Sequence, residues 1–229
     1  MKEHRRVGLM VPSSNSVMEP DFYRRLPLNV SLHTARMYLE DVTVAVEERM
    51  LDEFTMPAAK DLSTMHPHVV VFGCTSAGAL RGREYDRKMC AEISTVTKCP
   101  VVSVIESVNE ALAATGAKKV LILTPYIDEL NQRIRRSVED TGLEVINIFG
   151  LGIIENSAIG QVSVDKIVQF AKEKIQGLNP DCLFFSCTNF QAMEALPRLK
   201  EAFDLPMVTS NQAALDKTLC LLKGTTGGS

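Results

Sequence analysis

The stretch VVVFGCTSAG, residues 69–78, decides the fold, because an apolar run ends there on a cysteine and several small residues. A short continuous apolar run closed by glycine is typical of a strand buried on both faces of a parallel sheet. The stretch CLFFSCTNFQ, residues 182–191, repeats this arrangement, and again a threonine follows the cysteine. The placement of Cys74 and Cys187 at equivalent strand ends indicates a chain built from two related halves.

Strand-like runs alternate with helical patterns along the rest of the chain, which favours right-handed βαβ units and parallel sheets. Strands are predicted over residues 5–12, 30–38, 68–74, 99–105, 118–125, 143–151, 181–187 and 206–210. Helices are predicted over residues 16–26, 46–65, 82–97, 106–117, 126–142, 163–178, 190–204 and 211–224. We expect a break near Pro57, a stop at Gly116 and a helix N-cap at Ser163.

The two halves have the same order of elements, and the same interval of 113 residues separates Val7 from Val120 and Cys74 from Cys187. The predicted fold is therefore α/β, with two pseudo-symmetric Rossmann-like lobes, each a four-stranded parallel sheet flanked by helices. Residues 1–105 are expected to form the first lobe, joined by the helix 211–224, and residues 106–210 the second. Residues 225–229 are expected to be a disordered tail.

Composition excludes several function classes. The chain of 229 residues carries a formal net charge of −3 without a basic stripe, so no nucleic-acid partner is expected. Its apolar runs are strand-sized, and no membrane span or signal peptide is predicted, which favours a cytoplasmic protein. The six cysteines form no CxxC pair and are interpreted as reduced thiols. The four histidines do not cluster with cysteine at metal-ligand spacing, so no metal is expected.

The two strand-end cysteines are the candidate reactive groups. Ligands of open parallel sheets bind beyond the carboxyl ends of the strands, so two lobes facing each other bring Cys74 and Cys187 to one cleft. Two opposed thiols suit nucleophilic attack and proton transfer at carbon. The small residues after each thiol leave backbone N–H groups able to bind a carboxylate. A lone buried cysteine is otherwise a small hydrophobe, which is the interpretation for the remaining four: Cys90, Cys99, Cys182 and Cys220.

Two further strand ends carry polar groups expected at the same cleft. Ser14 and Asn15 follow the first strand in VPSSN and precede a helix, so they are candidates both for helix capping and for binding a substrate carboxylate. Tyr126 follows the fifth strand in TPYI and is a candidate for the core or for a ligand donor.

The motifs VPSSN, CTS, TPYI and SC follow the first, third, fifth and seventh strands in that order. This set resembles the aspartate/glutamate racemase superfamily, and within it the branch of maleate cis–trans isomerase and arylmalonate decarboxylase. The resemblance implies two pseudo-symmetric lobes with the site between them, no cofactor and no metal, a small carboxylate substrate, and a homo-oligomer, dimer or larger.

The resemblance also assigns roles to residues. It implies that Cys74 is the nucleophile and Cys187 the opposing acid or base. Further residues are implied to contact substrate or to shape the pocket: Asn15, Tyr126 and Asn156 as carboxylate binders, Thr75 and Ser76 with Tyr126 as an oxyanion pocket, and Thr188 and Asn189 as the loop behind the second cysteine.

The implied reaction is isomerisation of maleate to fumarate by thiolate addition, bond rotation and elimination. Three alternatives remain open. Two thiols also serve the amino-acid racemases, although their first loop differs from PSSN. The decarboxylase has glycine at the position of Cys74, whereas this chain has both thiols. A protein that binds carboxylates without catalysis would keep the cleft and lose thiol reactivity.

Overall fold

A computed structural model describes residues 4–224 of the chain. Eight strands form the framework, and all of them pair in parallel. They are β1 (Arg5–Pro12), β2 (Val30–Met37), β3 (Val69–Phe72), β4 (Val101–Ser103), β5 (Lys119–Thr124), β6 (Glu144–Gly150), β7 (Cys182–Phe185) and β8 (Met207–Thr209).

The strands divide into two four-stranded sheets of identical topology. The first sheet has the order β2-β1-β3-β4 and the second the order β6-β5-β7-β8. The inner strands β3 and β7 are buried along their whole length, as expected for strands covered by helices on both faces. The prediction of two four-stranded parallel sheets is confirmed.

Helices connect the strands and cover the sheets. They are α1 (Met18–Tyr23), α2 (Val44–Arg49), α3 (Thr55–Ser63), α4 (Thr75–Leu80), α5 (Arg83–Thr97), α6 (Val104–Ala114), α7 (Asp128–Glu139), α8 (Asn156–Gly160), α9 (Val164–Lys174), α10 (Ala192–Ala202) and α11 (Ser210–Gly224). Across residues 4–224, no helix is both long and apolar enough to cross a membrane. Ser163 caps α9, as predicted, by accepting a hydrogen bond from the Lys166 backbone N–H.

Two local features depart from the sequence-based expectations. The predicted break in the helix 46–65 is a π-helical turn, Met50–Phe54, and Pro57 lies in the first turn of α3 instead of breaking it. Because proline has no backbone N–H, the helical hydrogen-bond pattern is altered in the turn before it, which fits the π-helical turn there. Residues 75–81, for which neither a strand nor a helix is predicted from the sequence, contain the fully buried helix α4, whose small side chains allow close packing.

The two halves are joined over the sheets' carboxyl ends. Asp41 and Glu155 form an isolated antiparallel bridge, flanked by hydrogen bonds from the Val42 N–H to the Ile154 carbonyl and from the Asn156 N–H to the Glu40 carbonyl. The final helix α11 contacts β3, β4 and α6 as well as β8. The lobe boundaries at 105 and 210 stay a prediction, and residues 225–229 lie outside the described part of the chain.

Candidate active site

Cys74 lies directly beyond the carboxyl end of β3. Its backbone is extended (φ −138°, ψ 116°) and it occupies the N-cap position of α4. The preceding residue, Gly73, donates its N–H to the Met10 carbonyl at 2.7 Å. A Cβ at position 73 would lie 2.6 Å from the Met10 carbonyl oxygen, so only glycine permits this close approach of β3 to β1. The Cys74 Sγ lies 3.8 Å from the Ser76 Oγ.

Cys187 lies at the equivalent place beyond β7, on a strained backbone. Its φ is +126°, in the region that favours glycine, and such strain persists only where surrounding contacts hold it. Its N–H donates to the Ser210 Oγ at 3.1 Å, and the Asn189 N–H donates to its Sγ at 3.3 Å. The structure therefore fixes the direction of this thiol at the cost of an unfavourable backbone conformation.

Both thiols line one narrow cavity between the two halves, whose free volume of about 10 Å³ is about the space of one water molecule. Seven of the predicted site residues lie on its wall: Asn15, Cys74, Ser76, Tyr126, Asn156, Cys187 and Thr188. An apolar side is added by Pro12, Leu39 and Val42, and one acid, Glu47, completes the lining. Most of the lining carries hydrogen-bonding groups, which suits a small polar ligand more than an apolar one.

The other three predicted residues, Ser14, Thr75 and Asn189, lie behind the cavity wall. Asn189 Nδ2 donates to the Asn156 carbonyl at 2.6 Å, and Asn156 Nδ2 donates to Ser14 Oγ at 2.8 Å. Thr75 Oγ1 donates to Ser210 Oγ at 2.9 Å. In the described structure these groups orient wall residues.

Asn15 acts as both a helix cap and a link between the halves. Its Oδ1 accepts from the backbone N–H groups of Val17 and Met18, each at 3.0 Å. Its Nδ2 donates to Thr188 Oγ1 at 3.0 Å, and that hydroxyl donates in turn to the Gly73 carbonyl at 3.0 Å. The two interpretations of Asn15 from sequence are therefore compatible, because an amide nitrogen carries a second N–H for a ligand.

Two residues of the site were missed from sequence. Ser210, at the start of α11, accepts hydrogen bonds from both Thr75 and the Cys187 N–H, so one hydroxyl ties the two cysteine loops together. Glu47, on α2, is fully buried and accepts a short hydrogen bond from Ser76 Oγ through its Oε1. A signal for Glu47 existed, since it falls on the same helical face as the buried Met50 and Leu51.

The cavity favours neutral groups. Burial raises the pKa of Cys74 well above its usual value, and the nearby Glu47 carboxylate raises it further. Burial raises the pKa of Cys187 to about 12, although hydrogen bonds from Tyr126 and from the Asn189 backbone oppose this. Burial likewise raises the pKa of Tyr126, and electrostatic repulsion from Cys187 raises it further. Burial also raises the pKa of Glu47 to about 8. A thiolate therefore needs a specific route for its proton.

The family follows from comparison with known sequences. The sequence model of the family described as arylmalonate decarboxylase matches residues 7–226. The chain belongs to this family. The family resemblance predicted from the four strand-end motifs is thus confirmed.

Individual relatives agree in length and fold. The maleate isomerase of Geobacillus stearothermophilus is 25% identical over 233 residues, covering 96% of this chain and 92% of the relative. The crystal structure of the maleate isomerase from Pseudomonas putida S16 superposes with a TM-score of 0.89 at 23% identity, covering 96% and 94% of the two chains. A cysteine mutant of the Nocardia farcinica maleate cis–trans isomerase, with a covalently bound succinylcysteine intermediate, superposes with a TM-score of 0.86 at 22% identity, covering 96% and 93%.

Proposed function

We propose that this protein is a cofactor-independent isomerase that converts a small cis dicarboxylate, of the maleate type, into its trans isomer. The observation that carries the proposal is the pair of thiols, Cys74 and Cys187, brought to one cavity from opposite halves of the molecule. The relatives named maleate isomerase support it, and one of them forms a succinylcysteine.

The first step is addition to the alkene. The Cys74 thiolate forms a carbon–sulfur bond to one alkene carbon, and the π electron pair moves to the adjacent carbon and its carboxylate. We assign the binding of the carboxylates and of the developing charge to hydrogen-bond donors on the wall: the Tyr126 hydroxyl and the amides of Asn15 and Asn156.

The second step uses the opposite thiol. Cys187 donates its proton to the adjacent carbon, which gives a succinyl group on Cys74 and a thiolate on Cys187. The carbon–carbon bond is now single and rotates. Cys187 then removes a proton from the same carbon, the trans double bond forms, and the Cys74–carbon bond breaks. The hydrogen bonds that Cys187 receives from Tyr126 and the Asn189 backbone stabilise its transient thiolate.

Decarboxylation of an arylmalonate is the second candidate, because the family carries that name and because Pro12, Leu39 and Val42 give the cavity an apolar side. Loss of carbon dioxide would leave a carbanion that one thiol protonates. The presence of a second thiol favours the isomerase. A racemase would use the same two thiols to exchange a proton at the substrate Cα.

Three properties of the whole protein belong to the proposal. We infer a cytoplasmic enzyme, since the cysteines described by the structure are unpaired. We also infer a homo-oligomer, dimer or larger, from the family resemblance. The proposed lobes are residues 1–105 with the helix 211–224, and residues 106–210; the contacts of α11 with β3 and β4 support that grouping.

The test is proton NMR of the purified protein with maleate in heavy water. Fumarate is expected from the wild type, and Cys74→Ala and Cys187→Ala should each lose at least about 99% of the rate. Cys220→Ala, which changes an exposed cysteine on α11, is the matched control and should retain full activity. Unchanged maleate with the wild type would reject the isomerase. The same assay with arylmalonates and amino acids then detects carbon dioxide release or Cα proton exchange.

A further inference from the structure

Glu47 is a buried acid without a complete set of partners. The residue has no exposed surface, and its Oε2 has no hydrogen-bond partner among the described residues. Burying a carboxyl group is costly unless it is paired or protonated. A buried acid with an unpartnered oxygen on the wall of a reactive cavity points to a role in the chemistry there.

A continuous contact chain links Glu47 to the nucleophile. The Ser76 hydroxyl donates a short hydrogen bond to Glu47 Oε1. The Ser76 Oγ also lies 3.8 Å from the Cys74 Sγ, within the range of hydrogen bonds to sulfur. A serine hydroxyl both donates and accepts, so it can receive a proton from one neighbour while it releases its own to the other.

Among the described lining residues, no other group is suited to accept the Cys74 proton. The ionisable groups that face Glu47 across the cavity are Cys74, Cys187 and Tyr126, which are themselves weak acids in this setting. Helix α4, which packs on α2, carries no ionisable side chain, and the arginine that follows it, Arg81, is paired with Asp52 on the π-helical turn. Within the described lining there is no lysine, arginine or histidine.

We propose that Glu47 accepts the proton of the Cys74 thiol, with the Ser76 hydroxyl relaying it between them. The Cys74 S–H bond breaks as its proton passes to Ser76 Oγ, and the original Ser76 proton passes to Glu47 Oε1. The products are a Cys74 thiolate and a neutral Glu47. When the substrate later leaves Cys74, the proton can return along the same path. This inference deepens the proposed function, on which it rests.

The relay keeps the total charge of the cavity constant, because one negative charge moves from Glu47 to Cys74. In contrast, a Glu47 that acted only as a fixed negative charge would hinder ionisation of Cys74 by repulsion. The two possibilities predict opposite effects of neutralising Glu47. This opposition makes the proposal testable without any substrate.

The experiment measures alkylation of Cys74 by iodoacetamide from pH 6 to 10, using mass spectrometry of the tryptic peptide 61–81. Glu47→Gln keeps a group that can hydrogen-bond to Ser76 but cannot accept a proton. Because Glu47 takes up the thiol proton as the carbon–sulfur bond forms, we expect the Cys74 of this variant to react about tenfold more slowly than that of the wild type at pH 7.5. The pH midpoint of its alkylation should move upward from near that of the acid, about 8. Equal or faster alkylation of the Glu47→Gln variant overturns the proposal.

Two further variants complete the design. Glu48→Gln changes the exposed neighbour on α2 and should leave the alkylation rate unchanged. Ser76→Ala leaves Glu47 in place and removes only the relay hydroxyl, so it should slow alkylation in the same direction; wild-type reactivity there also overturns the proposal, even if Glu47→Gln does not fold. Because alkylation requires no maleate, these outcomes are independent of whether the isomerase assay succeeds.

Discussion

Replacing Thr188 with valine should destabilise the whole molecule, since its hydroxyl forms two buried hydrogen bonds where the two halves meet at the site. Thr188 is 3% exposed, and its Oγ1 accepts from Asn15 Nδ2 and donates to the Gly73 carbonyl, each at 3.0 Å. Valine matches threonine in shape but leaves the buried Asn15 Nδ2–H and the buried Gly73 carbonyl without this hydrogen-bond partner. Each such loss costs about 1–3 kcal/mol.

The expected loss is therefore about 3 kcal/mol in the free energy of unfolding. For a domain of this size it corresponds to a fall in Tm of roughly 6–12 °C. Urea unfolding followed by circular dichroism measures it, and the midpoint should fall without a change in the m-value. Because Asn15 and Cys74 flank the lost contacts, the isomerase rate should also fall.

Two control variants separate the hydroxyl from other effects. Thr188→Ser keeps the hydroxyl and should retain most of the stability. Thr218→Val removes a buried hydroxyl that bonds only to the Ala214 carbonyl within α11, and it should cost less than about 1 kcal/mol, since that carbonyl lies one turn earlier in the same helix. If the free energy of unfolding of Thr188→Val lies within about 0.5 kcal/mol of the wild-type value, the Thr188 hydroxyl does not join the halves.

Two other substitutions test the packing and the electrostatics of the site. Gly73→Ala should lower the free energy of unfolding by about 2 kcal/mol and reduce activity, because its Cβ would press on the Met10 carbonyl. Gly8→Ala is the control: its Cβ meets only side-chain tips at 3.1 Å, so the same urea titration should show a smaller loss of stability. The free energy of unfolding of the wild type should fall relative to that of Glu47→Gln by roughly 1.4 kcal/mol per pH unit as pH rises from 4.5 to about 8. The reason is that Glu47 releases its proton in the unfolded state but keeps it in the folded state over this range. A stability difference independent of pH in thermal melts would contradict the buried-acid description.

The sequence was sufficient to predict the two sheets and the meeting of the two thiols. The carboxyl ends of parallel strands lie at one edge of a sheet. The residues that follow β1 and β3 therefore lie close together at the edge of the first sheet, and those that follow β5 and β7 at the edge of the second. The matching Cys-Thr pairs and the equal spacing of the halves then located Cys74 and Cys187. These inferences depend only on periodicity and on local order along the chain.

The parts that sequence did not provide depend on contacts between distant segments. Ser210 bonds to Thr75, 135 residues away, and nothing local to α11 indicates that contact. Glu47 lies among other acids in VEERMLDEF, and only the helical face it occupies distinguishes it from solvent-exposed neighbours. Helix α4 was missed because a run of small residues reads equally well as a loop until burial is known.

The near-symmetry of the backbone hides a difference in chemistry between its copies. The interval that relates Cys74 to Cys187 carries Glu47 to Gly160, at the end of α8, where a Cβ would already lie 2.5 Å from Ser16 Oγ. The second copy thus has no room for an acid like that of the first. Under the proposed relay, a molecule held between the thiols therefore has a buried carboxyl group beside Cys74 and none in the equivalent place beside Cys187, so the duplicated frame gives its two thiols different acid–base surroundings.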